Sequence, residues 1–164
     1  TKGHYALYET IGGGFGARPD RDGVDVVHSH MTNTLNTPVE ALESAYPLRV
    51  ERYELIRGSG GSGCYRGGLG IRRDITIIDH TARVSLLTDR RSSRPYGLNG
   101  GDPGRAGENV LIRDGEETPL PEKGTVTLHA GETVSIRTPG GGGYGVAQER
   151  DEQAIERDRR EGKV

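Results

Sequence analysis

Short runs of β-branched and aromatic residues, each bounded by Gly, Pro or Asp, recur along the chain. Such runs are typical of β-strands, because branched and aromatic side chains pack well on a pleated surface and the bounding residues favour turns. The pattern predicts strands at residues 5–11, 24–30, 50–56, 71–78, 83–88, 110–112, 125–128 and 133–137. The chain is therefore predicted to be mainly β, of the α+β class, with glycine-rich loops joining short strands.

Two of these runs carry a sharper signal. Val134 and Ile136 alternate with polar residues, so both should lie on the same buried face of a strand. The run at 110–112 is followed by Asp114 and Gly115, a pair that favours the positive φ angles of a tight hairpin turn. We therefore expect a hairpin at this point.

One helix is predicted near residues 37–46. Thr37 can accept a hydrogen bond from the first turn, Pro38 suits the first helical position, and Glu40 can complete a capping box. Pro47 would end the helix after Tyr46. The sequence thus predicts a short, capped helix between two predicted strands.

A second helix is predicted at residues 151–160, where only Ala154 and Ile155 are apolar. A helix this polar cannot be held to a core by burial alone. We therefore interpret it as an exposed tail or as an element that docks on a partner. The charge run itself is typical of a solvated face. These features divide the chain into a β-rich part, residues 1–146, and a charged helical tail, residues 147–164.

Glycine changes this picture, since it accounts for 27 of the 164 residues, against a usual share of about 7%. A chain with so little apolar bulk can bury only a thin core. We therefore expect it to be part of a larger assembly, in which its surfaces lie against other polypeptide.

The net charge and the single cysteine exclude several classes of protein. A formal charge of −2 lacks the basic character expected of a nucleic-acid-binding protein. No apolar run approaches the roughly 18 residues of a membrane helix. Cys64 has no second cysteine with which to form an intrachain disulfide and no His or carboxylate beside it in sequence. We expect a cytoplasmic protein that binds neither nucleic acid nor membrane.

The glycines cluster at residues 12–16, 58–70, 97–107 and 140–145. In the second cluster, Ser59, Gly60 and Gly61 could direct backbone N–H groups at a ligand, and Arg66 could neutralise an anion there. The alternative is a wide loop joining two strands, or a subunit contact. The first cluster does not fit a dinucleotide-binding loop, because a turn and not a helix follows it.

Polar side chains between residues 28 and 37 form the other candidate group. His28 and His30 would share one face of a strand, but no third residue completes a recognised metal-ligand pattern, so structural roles are favoured. Asn33 and Asn36 precede the predicted helix, where they could satisfy its first N–H groups or line a polar pocket.

Several strings of the sequence, taken in order, are similar to one known family. They are YETIGGG at residues 8–14, MTNTLNTPVE at 31–40, SGGSG at 59–63, RGGLG at 66–70 and TPGGGGYG at 138–145. Together they resemble the hydantoinase B/5-oxoprolinase family, and the resemblance spans essentially the whole chain.

The resemblance implies a role in ATP-dependent opening of cyclic amides such as 5-oxoproline or hydantoins. In that family, a hydantoinase A-type subunit or domain activates the substrate with ATP and the B-type partner completes hydrolysis. Related assemblies carboxylate ketones instead. ATP and a divalent metal are therefore implied for the full complex.

This chain departs from the family in length, because B-type subunits are much longer and carry their His- and Asp-containing metal motifs in an N-terminal portion. Nothing in this sequence matches those motifs. We therefore expect a C-terminal portion of a B-type subunit, with no catalytic or metal-binding residue and no bound cofactor of its own. Its expected partners are the A-type subunit and the missing N-terminal portion of the B-type subunit. The alternatives are a segment of a ketone carboxylase and a non-catalytic binding or scaffolding module.

Overall fold

Most strands belong to one antiparallel sheet in the computed structural model, which describes residues 4–29 and 32–164. The five-stranded sheet has the order β1-β2-β7-β4-β5, and β3 pairs with β6 in a separate two-stranded sheet. The strands are β1 (Leu48–Leu55), β2 (Ile71–Ile77), β3 (Ala82–Leu87), β4 (Glu108–Arg113), β5 (Glu116–Pro119), β6 (Lys123–Leu128) and β7 (Thr133–Arg137). The predicted mainly β class is confirmed.

A small apolar core joins the two sheets to the first helix, α1 (Val39–Ala45). As the alternation predicts, Val134 and Ile136 of β7 both lie in this core. Its other buried members come from α1 and from five strands: Leu42, Leu48, Ile77, Leu86, Leu111 and Leu128. The core is thin, as expected from a chain so rich in glycine.

Six of the eight predicted strands are present, and the predicted hairpin is confirmed. Asp114 and Gly115 join β4 to β5, with φ angles of 52° and 83°. The predictions for residues 5–11 and 24–30 are wrong over the described residues, which contain no strand there. Val26 donates its N–H to Leu69 O at 3.1 Å, and Val27 donates to Gly13 O at 3.2 Å. Residues 24–29 are therefore held by glycine-rich chain instead of a strand ladder.

The helix α1 starts later than predicted, and the predicted capping box is not formed. Pro38 is the N-cap and makes no side-chain capping bond. The N–H of Thr37 instead donates to Oε1 of Glu9 at 3.0 Å. The helix ends before Pro47, as predicted, because proline cannot continue it.

The second helix, α2 (Glu152–Arg160), follows a single 3-10 turn (Ala147–Glu149). Asp151 caps α2 by accepting hydrogen bonds from Gln153 and Ala154. Asp158 is buried against the β-rich part, so α2 packs on the chain's own surface through a charged residue. Neither α1 nor α2 is long and apolar enough to cross a membrane, and these are the helices of the described part of the chain.

Candidate functional site

Four glycine-rich segments pack side by side in what we call the glycine bundle: residues 13–17, 59–70, 95–105 and 138–145. Segment 138–145 lies at its centre. Its carbonyl groups at Gly141, Gly142 and Gly143 accept hydrogen bonds from three different segments, at 2.8, 2.9 and 2.9 Å. Its N–H groups at Gly141 and Gly143 donate to Gly68 and Asp102. Backbone groups outside any strand ladder are thus satisfied by neighbouring backbone.

Glycine is required in the bundle because the backbones approach too closely for a side chain. A Cβ atom on Gly141 would overlap the carbonyl group of Phe15, and one on Gly61 would overlap the carbonyl of Asp102. Neither glycine has a positive φ. The requirement is therefore steric contact between chains of the bundle and not a special backbone conformation.

Arg66 lies within the bundle's polar flank, where it contacts two carboxylates. Its Nη1 lies 3.3 Å from Oδ1 of Asp25, and its Nε lies 3.4 Å from Oδ1 of Asp158. The residue is 5% exposed. Its charge is therefore matched by the chain's own acidic groups, while the proposal that it binds an anion stays a prediction.

Arg150 extends this ion-pair network between the bundle and α2. It donates to both carboxylate oxygens of Asp22, at 2.7 and 2.8 Å, and to Oδ2 of Asp158 at 2.6 Å. Lys163 pairs with Asp25 at 3.1 Å. Because Asp158 belongs to α2, these contacts fix the charged helix to the β-rich part without an apolar face.

The network shifts the titration of its members. Burial raises the pKa of Asp22, but hydrogen bonds from the Arg150 side chain and the Arg66 N–H outweigh it, so the pKa lies below its ordinary value. For Asp25, burial is likewise outweighed by the N–H of Leu69 and by Lys163, and its pKa is also lowered. Both carboxylates are therefore ionised at neutral pH and are unsuited to act there as general acids.

A second polar group, which we call the Arg73 cluster, comprises Glu9, Asn36, Thr37, Tyr53 and Arg73. Arg73 is fully buried in β2, and its Nη2 lies 3.1 Å from Oε2 of Glu9. Its guanidinium lies 4.8 Å from the centre of the Tyr53 ring. Nε and Nη1 of Arg73 have no hydrogen-bond partner among the described residues. A buried cation with unused donors is thus brought close to Asn36, one of the predicted site residues.

The remaining predicted residues are dispersed. Asn36 donates to Thr10 O at 2.7 Å and accepts from the Tyr53 hydroxyl at 3.3 Å, whereas Asn33 is exposed. Nε2 of His28 is buried and has no partner in the described part of the chain. His30 lies outside the described residues, so its pairing with His28 stays a prediction.

Ser59 closes the turn that leads into the bundle. Its hydroxyl donates to Ile56 O at 2.6 Å and accepts from the Gly70 N–H at 2.9 Å. Gly60 and Gly61, which follow it, lie in the wall of a surface pocket of about 320 Å³. The other residues lining the pocket are Gly58, Ser62, Arg94, Asp102, Pro103 and Arg105.

Sequence reasoning missed Arg94 and Arg105 as residues of this pocket. Arg94 precedes the third glycine cluster and Arg105 lies within it, and both meet the second cluster only through the packing of the bundle. Arg105 N–H donates to Ser59 O at 2.7 Å, which brings the two clusters together. The feature of the sequence that could have indicated these residues is an arginine next to a glycine, as at Gly104 and Arg105.

The described residues contain no group of three or more His, Cys, Asp or Glu side chains able to hold a metal ion. The divalent metal implied by the resemblance therefore has no fitting ligand set among residues 4–29 and 32–164. Cys64 lies near the 3-10 turn, with its Sγ 3.5 Å from Glu149 O.

Comparison with known proteins decides the family. Residues 1–147 match the hydantoinase B/oxoprolinase family over most of the chain. The chain belongs to the hydantoinase B/oxoprolinase family. It is 46% identical over 142 residues to 5-oxoprolinase 1 of Arabidopsis thaliana, a match that covers 86% of this chain and 11% of that protein.

Two solved structures share the fold of this hydantoinase B/oxoprolinase chain. The ATP-dependent caprolactamase of Pseudomonas jessenii superposes with a TM-score of 0.78 at 27% identity, over 94% of this chain and 28% of that one. The nucleotide-free structure of an acetone carboxylase superposes with a TM-score of 0.75 at 20% identity, over 93% and 25% of the two chains. The chain therefore spans less than a third of the length of these relatives.

Proposed function

We propose that the chain acts as the C-terminal portion of a B-type component in an ATP-dependent hydrolase of cyclic amides. Its partners in this proposal are an A-type subunit and the remaining B-type polypeptide. Membership of the hydantoinase B/oxoprolinase family is the observation that carries the proposal. The likeness to a 5-oxoprolinase and to an ATP-dependent caprolactamase supports it, because both names describe enzymes of cyclic amides.

The chain's own contribution in this proposal is a rigid, polar wall. The glycine bundle fixes four segments by backbone hydrogen bonds, and the Arg66 and Arg150 network fixes α2 against them. Catalytic groups come from the other parts of the assembly. This division of labour predicts that the isolated chain does not turn over substrate.

The proposal is tested by assaying 5-oxoproline and hydantoin hydrolysis with the 164-residue chain alone and with the chain assembled with the A-type subunit and the remaining B-type polypeptide. We expect no turnover by the isolated chain and ATP-dependent ring opening by the assembly. The assembly without ATP is the matched control. Hydrolysis by the isolated chain, or equal hydrolysis with and without ATP, would contradict the proposal.

Ketone carboxylation is the second candidate function, because the chain shares its fold with an acetone carboxylase. At 20% identity that likeness concerns the fold alone. Adding bicarbonate and a ketone to the same assembly separates the two reactions. Ketone consumption that requires both ATP and bicarbonate, without hydrolysis of cyclic amides, would replace the first function by the second.

A further inference from the structure

The pocket beside the glycine bundle contains an arginine without an acidic partner. Arg94 donates from Nε to Gly104 O at 2.9 Å and from Nη2 to Pro103 O at 2.9 Å. Within the described residues it forms no ion pair. Two carbonyl groups therefore fix the orientation of its guanidinium while leaving its positive charge uncompensated.

Arg105 supplies a second cation to the same pocket. Its Nη2 contacts Oε1 of Glu108 at 3.1 Å, and its side chain is 52% exposed. The pair with Glu108 is thus a surface pair, which solvent weakens. The Nε and Nη1 donors of Arg105 have no acceptor in the described part of the chain, so they are available to a ligand.

The pocket is also lined by glycine-rich backbone with unused donors. The N–H groups of Gly60 and Ser62 have no hydrogen-bond acceptor among the described residues, although both residues line the pocket. Short side chains at this wall let a ligand reach the backbone closely, and successive N–H groups are a recurrent means of binding oxyanions. Asp102 is the sole carboxylate among the lining residues, so positive charge prevails.

We propose that this pocket binds a small oxyanion, the phosphate or carboxylate group of a ligand, between Arg94, Arg105 and the backbone at residues 60–62. Guanidinium groups suit both anions, because their N–H donors form charge-assisted hydrogen bonds to such oxygens. The site is separate from Arg66, whose Nη1 and Nε contact Asp25 and Asp158. The test measures anion binding and not turnover, so its result does not depend on the proposed hydrolysis of cyclic amides.

The test titrates inorganic phosphate and, separately, acetate into the 164-residue chain at low ionic strength, followed by calorimetry. We expect one saturable site for at least one of the two anions. Arg105→Gln should weaken the affinity about tenfold or more, since it removes a charged donor. Asp102→Asn should strengthen it about threefold or more, since it removes the only opposing charge in the pocket.

Arg83→Gln is the matched control, because Arg83 is exposed on β3 and is not among the residues that line the pocket. It should leave the affinity within about twofold of the original, as expected for an exposed charge that is screened by solvent and does not line the pocket. Tighter binding of phosphate would identify a phosphate group as the ligand, and tighter binding of acetate a carboxylate. The proposal is overturned if neither anion saturates a site, if Asp102→Asn weakens binding, or if Arg83→Gln weakens it as much as Arg105→Gln.

Discussion

Replacing Gly141 with alanine is expected to destabilise the chain by more than about 4 kcal/mol, a large share of the roughly 5–15 kcal/mol that stabilises an ordinary domain. The new Cβ would overlap the carbonyl carbon and oxygen of Phe15 and approach the N of Gly16. These are backbone atoms of another segment, so no side-chain rotation can relieve the overlap. Urea unfolding followed by circular dichroism measures the effect.

Gly16→Ala is the matched control for this substitution. Gly16 belongs to the same bundle, but a Cβ there would meet its nearest atom, Gly142 O, at 3.9 Å. Its φ is not positive, so alanine is tolerated in its backbone conformation. The free energy of unfolding should change by less than about 1 kcal/mol. Similar losses for the two variants would show that close backbone packing is not what requires glycine at residue 141.

Glu9→Gln is expected to cost about 3–5 kcal/mol of unfolding free energy, because it leaves the buried charge of Arg73 without a carboxylate partner. The glutamine side-chain oxygen can still accept a hydrogen bond from the Thr37 N–H. The loss of unfolding free energy therefore reflects the ion pair with Arg73. Arg73 has no exposed surface, and the Glu9 side chain is 8% exposed. Solvent therefore cannot replace the missing charge. Chemical denaturation at neutral pH provides the measurement.

The double variant Glu9→Gln/Arg73→Met separates a missing partner from general damage to the fold. Arg73 pairs in register with Ile136, on the face of the sheet that carries the apolar core. Methionine should pack at this position, and a buried ion pair replaced by apolar groups often leaves stability unchanged. We expect the double variant to recover at least half of the loss. A double variant less stable than Glu9→Gln would contradict this account of the Arg73 cluster.

The sequence predicts those strands whose side chains meet the core. In β7, the alternation at Val134 and Ile136 reflects real burial, and in the β4–β5 hairpin Asp114 and Gly115 supply the turn. The strand β5 was not predicted, because its four residues are all exposed and an edge strand needs no apolar pattern. Hydrophobic periodicity therefore predicts strands whose side chains are buried. It cannot predict a strand that is held only by backbone hydrogen bonds.

The wrong strand prediction at residues 24–30 shows how packing overrides local composition. Residues 24–29 have the composition of a strand, but Val26 and Val27 bond to Leu69 and Gly13 of the glycine-rich segments. Which segments approach one another depends on contacts far apart in sequence. The glycine clusters were evident from the sequence, whereas their packing around residues 138–145 was not.

The sequence predicts an anion site at the second glycine cluster, but it does not show which arginines line the pocket there. The sequence indicated that the backbone near Gly60 and Gly61 could meet an anion and that Arg66 could supply the charge. In the structure, Asp25 and Asp158, distant in sequence, contact Arg66, while Arg94 and Arg105 reach the pocket from another cluster. Local spacing cannot show which of several arginines finds a carboxylate partner after folding.

The glycine bundle is a hydrogen-bonded part of the folded structure and not a set of loosely held loops. Hydrogen–deuterium exchange at individual amides, followed by NMR, tests it most directly. The N–H groups of Gly140, Gly141 and Gly143 donate to Arg105, Gly68 and Asp102, in no helix or strand.

We predict that these three amides exchange within about tenfold of the slow rate of the central strand β2, while the amides of Gly60 and Ser62, which lack acceptors in the described structure, exchange rapidly. If the amides of Gly140, Gly141 and Gly143 instead exchange as fast as those of Gly60 and Ser62, the glycine bundle does not exist as described.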